Sequence, residues 1–277
     1  MESVFKADIL KGKVALVTGG GSGICFEIAL QFGKHGAAVG IMGRRKHVLD
    51  AAVDVLRSQG IRAIGVEGDV RKQEDAAKGN FLVAAEDLSL NGFKTVLDID
   101  TIGTYNMSHE AFKYLKKGGP GKGSTTGGLI LNISATLHYT TAWYQIHVCA
   151  AKAAIDSMTR SLALEWGTDH DIRVNGIAPG PIKDTPGIQK LLPEELKYRA
   201  GDNMIVERAG EKWDIGMAAL YIASDAGKFI NGTTLIVDGG YWISRPRRVS
   251  KEVVKQISRS VEKKSREPPF GSPSSKL

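Results

Sequence analysis

The feature that most constrains this chain is a glycine-rich turn set between an apolar strand-like run and a helix-like run. Residues 13–18 read KVALVT, a short apolar segment of the kind buried in a parallel sheet. Thr18-Gly19-Gly20-Gly21-Ser22-Gly23-Ile24-Cys25 follows and opens a helix. Glycines permit positive φ and let backbone N–H groups approach a pyrophosphate, while the helix N-terminus adds a positive field. A plain tight turn does not need four glycines. The segment therefore predicts a nucleotide site held by Gly19, Gly21, Ser22, Gly23 and Ile24.

The chain continues to alternate. Further strands are expected at 38–42, 62–67, 128–134, 172–178 and 233–237, with helices near 23–35, 46–58, 101–117, 148–167 and 209–224. Such alternation specifies an α/β fold, a Rossmann-type doubly wound parallel sheet within a single domain over residues 1–244. After the second strand comes Gly43-Arg44-Arg45-Lys46, where an NAD site usually places an acid for the ribose hydroxyls. Guanidinium groups suit a 2′-phosphate, so Arg44 and Arg45 predict NADPH rather than NADH. Asp69, at the end of the third strand, is expected to contact the adenine.

One crossover is too short. A parallel crossover with its helix needs at least ~10–12 residues plus the next strand. Between Asp69 and the helix near 101–117, only Phe81 to Ala85 could be a strand, and almost no helix precedes it. One central strand is therefore expected to be missing or replaced.

The net charge of +7 is confined to one end. Residues 1–244 carry 27 basic and 27 acidic residues, whereas 245–277 carry 10 basic and 3 acidic ones. In that tail, Val249, Val253, Val254, Ile257 and Val261 recur at helical spacing, predicting a basic amphipathic helix at about 249–264. A Pro/Ser/Gly-rich end follows and closes on Ser275-Lys276-Leu277, an address read by the peroxisomal import receptor. Aromatic interleaving is missing from the basic tail, which makes nucleic acid the weakest partner class. No run approaches the ~18–20 apolar residues of a membrane span, and no secretory signal is expected. Two cysteines without metal-ligand spacing predict neither a disulfide scaffold nor a metal site.

Several segments in order resemble the short-chain dehydrogenase/reductase family. They are TGGGSGI, Asn132-Ile133-Ser134, Lys152 in AAKAA, Arg173-Val174-Asn175, Pro179-Gly180 and Val237-Asp238-Gly239-Gly240. The resemblance covers most of residues 10–243 and implies a nicotinamide cofactor. The family's usual tyrosine, four residues before the lysine, is replaced by Val148. Its serine and asparagine positions hold Ala135 and Asp100. Without that tyrosine, ordinary carbonyl reduction lacks its proton donor. With GNFL, VLDID, NISATL and APGPI added, the pattern looks like the peroxisomal 2,4-dienoyl-CoA reductase branch, most of all its plant-type members.

That resemblance implies reduction of a 2,4-dienoyl-CoA to a 3-enoyl-CoA in peroxisomal β-oxidation of unsaturated fatty acids. Lys152 would bind the nicotinamide ribose and supply positive charge, and Asp100 would hold or relay a proton through water, unless it only caps its helix. Pro179, Gly180, Ile182 and Thr185 would line the nicotinamide. Phe81, Ser89 and Asn91 would contact the acyl-CoA, with Lys183 and Lys190 as partners for its phosphates. Tyr139 and Tyr144 are alternative donors, each read more readily as a structural tyrosine, and His147 is read as structural. A homo-oligomer is implied.

Two departures from the resemblance carry expectations of their own. Cys25 stands where the family places its third glycine, and a side chain there should overpack the turn and weaken NADPH binding. By the crossover arithmetic, on the order of 20–25 residues are absent after Asp69, which predicts reduced stability and low activity. The competing readings are a catalytically silent NADP-binding subunit and another peroxisomal enoyl-CoA reductase.

Overall fold

The computed structural model describes residues 3–70, 81–120, 126–185, 205–206, 208–244, 253, 255–259 and 261. The chain divides into two units, Met1–Ile243 and Ser244–Leu277.

The first unit alternates as its apolar periodicity requires. Strand β1 (Val14–Thr18) leads through the glycine turn into helix α1 (Gly23–Lys34), then β2 (Ala38–Gly43), α2 (Lys46–Ser58) and β3 (Ala63–Glu67). Buried Leu49, Ala52, Val53 and Leu56 recur along α2 at helical spacing, and this stripe seats the helix on the sheet. After residues 71–80 the chain enters α3 (Leu90–Leu97), a π-helical turn (Asp98–Ile102) and α4 (Gly103–Leu115). Strand β4 (Leu129–Ile133), the short α5 (Leu137–Thr140), the long α6 (Ile146–His170), β5 (Arg173–Pro179), α7 (Lys212–Ala223) and β6 (Thr234–Val237) complete it.

All strand pairs among the described residues are parallel, in two three-stranded sheets of order β1-β2-β3 and β4-β5-β6. Helices α1 and α7 pack on one another, and one core joins both sheets on that side. Ala15, Val17, Leu129, Leu131 and Ile133 all pack into it with Ile28, Ile215 and Leu220. On the other side Ile130, Val174 and Ile172 meet Phe112, Leu162 and Trp166 of α4 and α6.

Six strands and their helices thus lie where the alternation places them. Three details differ. The described residues from Phe81 to Ala85 form no strand, so that segment does not replace the central one. Strand β1 does not close onto β4, which lies in the other sheet. The helix expected at 101–117 begins about three turns earlier, at Leu90, with Ser89 as its N-cap; its hydroxyl accepts the Gly92 N–H at 3.0 Å.

In the second unit, residues 253, 255–259 and 261 are helical, and Val253, Ile257 and Val261 are exposed. The Ser275-Lys276-Leu277 ending lies outside the described residues.

Candidate active site

The carboxyl ends of the first three strands come together as a parallel sheet requires. The Gly19 N–H donates to Met42 O at 2.8 Å, and the Gly68 N–H donates to Gly43 O at 2.9 Å. The glycine turn, Arg44-Arg45 and Asp69 therefore share one edge. Arg44 and Arg45 are exposed there, and Asp69 is half-buried.

The turn needs its glycines. Gly19 and Gly23 have φ of 67° and 65°. A Cβ on Gly20 would stand 2.7 Å from Ile41 Cγ2. Ser22 is the N-cap of α1, yet its hydroxyl makes no capping hydrogen bond. The first N–H groups of α1 thus keep their capacity for an anion. The cradle fits a dinucleotide phosphate, and the paired guanidinium side chains fit an added one.

Lys152 lies on the inner face of α6, one turn beyond Val148. Its Nζ sits 3.0 Å from Asp100 Oδ2 and donates to Ile133 O at 3.3 Å. Both side chains are partly buried. The structure thus joins two residues that lie 52 positions apart in the sequence. Asp100 is no helix cap: it lies inside the π-helical turn, and Thr104 Oγ1 donates to its carbonyl at 2.6 Å. Such turns re-aim side chains within a helix. Thr101 ties the same turn to α6 through Ala151 O at 3.4 Å. Nothing in the sequence pattern reports the π turn.

Val148 is buried with Val96 and Ala151, and Phe81 packs against the same cluster. Phe81 also stacks on His147 with ring centroids 4.4 Å apart. His147 is fully buried, and burial holds its pKa below the ordinary histidine value. Asn91 is exposed on α3. Tyr144 is exposed with φ of 63°. Tyr139 donates its hydroxyl to Asp156 Oδ2 at 2.5 Å, and burial together with that carboxylate pushes its pKa up. His138 meets the same oxygen at 2.9 Å, and Thr234 Oγ1 donates to Asp156 Oδ1 at 3.3 Å. Tyr139 is therefore committed to a structural cluster centred on a buried aspartate that sequence reasoning did not single out.

The far wall is built from β5 and the segment after it. Pro179 O accepts from the Thr136 N–H at 3.1 Å, and the Gly180 N–H donates to Val237 O at 3.1 Å. A Cβ on Gly180 would lie 2.4 Å from Asp238 Cβ, so only glycine permits this approach. The Asp238 carboxylate in turn accepts from the Gly240 and Trp242 N–H groups at 2.9 and 2.8 Å. Ile182 is buried and bridges to Gly210, and Thr185 Oγ1 donates to Ile182 O at 2.8 Å. Lys183 pairs with Glu211 at 2.7 Å. Lys190 lies outside the described residues.

Cys25 lies beside the turn. Its Sγ would stand 3.9 Å from a Cβ on Gly19. Burial raises its thiol pKa, opposed by the charge of Lys152.

Comparison with known proteins agrees with this arrangement. The family described as short chain dehydrogenase matches residues 13–81, and that described as enoyl-(acyl carrier protein) reductase matches 77–242. A peroxisomal 2,4-dienoyl-CoA reductase of Arabidopsis thaliana is 63% identical over 298 aligned positions, covering 100% of both chains. Its mouse counterpart is 39% identical, with 90% of each chain covered. A short chain dehydrogenase of Bacillus anthracis superposes with a TM-score of 0.75 at 36% identity, over 86% of this chain and 100% of its own. A 3-ketoacyl-(acyl-carrier-protein) reductase of Brucella melitensis, solved with NADH, superposes with a TM-score of 0.74 at 26% identity, over 84% and 99%. The glycine cradle, the lysine on α6 and these likenesses together place the chain in the short-chain dehydrogenase/reductase family.

Proposed function

We propose that this protein reduces 2,4-dienoyl-CoA to 3-enoyl-CoA with NADPH in the peroxisomal β-oxidation of unsaturated fatty acids. The observation that carries the reading is the Lys152–Asp100 pair at 3.0 Å beside a buried Val148. A carbonyl reductase needs an acid at the position of Val148. A dienoyl thioester does not, because its negative charge develops on the thioester oxygen and its proton goes to the α carbon. Names of relatives from Arabidopsis, mouse and yeast support the same substrate and compartment.

When bound, the family's nicotinamide cofactor would be the source of the hydride that the δ carbon of the conjugated chain receives. The remaining work belongs to the protein. Gly19, Gly21, Ser22, Gly23 and Ile24 would hold the pyrophosphate, Asp69 the adenine, and Arg44 and Arg45 the 2′-phosphate that distinguishes NADPH. Pro179, Gly180, Ile182 and Thr185 would line the nicotinamide. Lys152 holds the ribose and places a positive charge near the developing dienolate. Asp100 orients Lys152 and passes a proton through water toward the α carbon. Phe81, Ser89 and Asn91 border the acyl-CoA side.

The test is loss of the dienoyl absorbance with purified protein and NADPH. Asp100→Asn is expected to lower kcat by roughly 10²-fold while NADPH affinity stays within about threefold, since general acid–base groups contribute ~10²–10⁴. Turnover of a ketone in preference to the dienoyl-CoA would overturn the reading. A second reading, a nucleotide-binding subunit without turnover, is favoured by the break between β1 and β4. NADPH binding with no dienoyl-CoA consumption would select it.

Self-association is part of the proposal. A groove of about 570 Å³ between α4 and α6 is lined by Tyr105, Met158, Leu162 and Trp166, which suits packing against another copy. Import would rest on Ser275-Lys276-Leu277.

A further inference from the structure

The two sheets are clothed differently. The β4–β6 sheet is covered on both faces: Leu129, Leu131 and Ile133 meet the α1–α7 core, and Ile130 and Val174 meet α4 and α6. Among the described residues, the β1–β3 sheet is covered on one. Its odd-numbered residues Val39, Ile41 and Ala63 are buried against α1 and α2. Its even-numbered residues point the other way. There Val14 is 79% exposed, Leu16 57%, Ile64 58% and Val66 42%. The register makes these one surface, because Leu16 lies opposite Gly40 and Gly40 opposite Ile64. The gap over Gly40 brings Leu16 and Ile64 toward one another.

Parallel sheets owe their stability to cover on both faces, and β1 reads VALVT, a run with no polar side for water. β1 also ends its sheet, and β4 ends the other. A doubly wound sheet of order 3-2-1-4-5-6 sets its fourth strand against β1, reached by a crossover helix that lies on the face opposite α1 and α2. Both the bare face and the open edge belong to that unit. The alignment to the Arabidopsis relative is longer than this chain. Its 298 positions against the 277 residues of this chain leave at least 21 positions of the relative opposite a gap. The two family matches change over at residues 77–81, on this same stretch of chain.

We propose that the bare face of β1–β3 and the open edge of β1 form a docking site for one helix–strand unit of another polypeptide. The strand would pair in parallel with β1, and an amphipathic helix would cover Leu16 and Ile64. Its chemistry is set by the site: an apolar, β-branched strand with free backbone N–H groups, and a helix with one apolar stripe. The full-length chain would then recover in trans what its own sequence lacks.

The probe is a fluorescently labelled synthetic peptide with the sequence of the Arabidopsis relative that falls opposite the gap, added to the full chain. Saturable binding is expected, with amides of Val14–Thr18 gaining at least tenfold protection from hydrogen exchange and bound hydrophobic dye being released. Leu16→Glu should abolish binding, and a peptide carrying two prolines in its strand half should not bind. Binding of the proline peptide as tight as the parent would overturn the proposal, as would a scrambled peptide binding equally well. Protection of β1 without peptide, lost in Leu16→Glu together with self-association, would assign the face to a second copy and also overturn it. No binding with β1 exchanging freely would do the same. None of these readouts depends on turnover.

Discussion

The role proposed for Lys152 rests on how its neighbours hold the ammonium group in place. Asp100 at 3.0 Å and the Ile133 carbonyl at 3.3 Å fix its direction along the sheet edge. Arg44 and Arg45, the residues proposed for the 2′-phosphate, are exposed after β2. Replacing both by alanine is expected to weaken NADPH binding about 10–100-fold, since a charge-assisted hydrogen bond contributes ~1.5–3 kcal/mol. NADH affinity should move by less than about threefold; fluorescence titration of the two nucleotides makes the comparison. Cys25 lies beside the glycine turn. Cys25→Gly is expected to tighten NADPH binding by up to roughly tenfold, because overpacking of this kind costs ~1–3 kcal/mol. Calorimetry that gave equal affinities would remove the overpacking account.

At the scale of elements, the π turn is what delivers Asp100. A regular helix from Leu90 to Leu115 would aim residue 100 elsewhere, and the extra residue per turn rotates it toward α6. The α5–α6 junction is held by Tyr139, His138 and Thr234 around Asp156. Because the Tyr139 pKa is raised above its unfolded value near 10, its hydrogen bond contributes fully below pH 10. That contribution declines as the pH rises above the unfolded value and is gone once the pH passes the folded one. Tyr139 is therefore expected to ionise at higher pH in the folded protein than in the unfolded chain. Difference absorbance along an alkaline titration, parent against Tyr139→Phe, in buffer and in denaturant, checks that order. The same substitution should cost about 1 kcal/mol near neutral pH by chemical denaturation, the usual size of one such bond.

Across the whole molecule, one shared core compensates for a broken sheet. Helices α1 and α7 pack together and bury residues of both halves, so the fold closes although β1 and β4 do not pair. The cost is an apolar face left in water. Inserting the relative's segment after Asp69 is expected to raise Tm by roughly 5–10 °C, since a few kcal/mol shift a chain of this size by ~2–4 °C each. It should raise dienoyl-CoA turnover at least tenfold. Parallel melting and rate measurements on the two chains test this, and equal values would show that the short crossover costs nothing.

Much of this was legible in the residues themselves. Local periodicity placed the six strands and their helices, because apolar spacing is set by the period of each element. The glycine turn and Arg44-Arg45 were read as a cofactor edge because backbone freedom and fixed charge act over a few residues, and the structure sets them on one edge of the sheet. The short crossover was legible as arithmetic, since a chain cannot span a sheet in too few residues. Tertiary structure alone decided the rest. It brought Lys152 to Asp100 across 52 positions, turned Asp100 inward through a π turn, gave Tyr139 to Asp156, and left Phe81 to Ala85 without a strand. Those outcomes depend on which distant side chains share a volume, and packing, not periodicity, selects them.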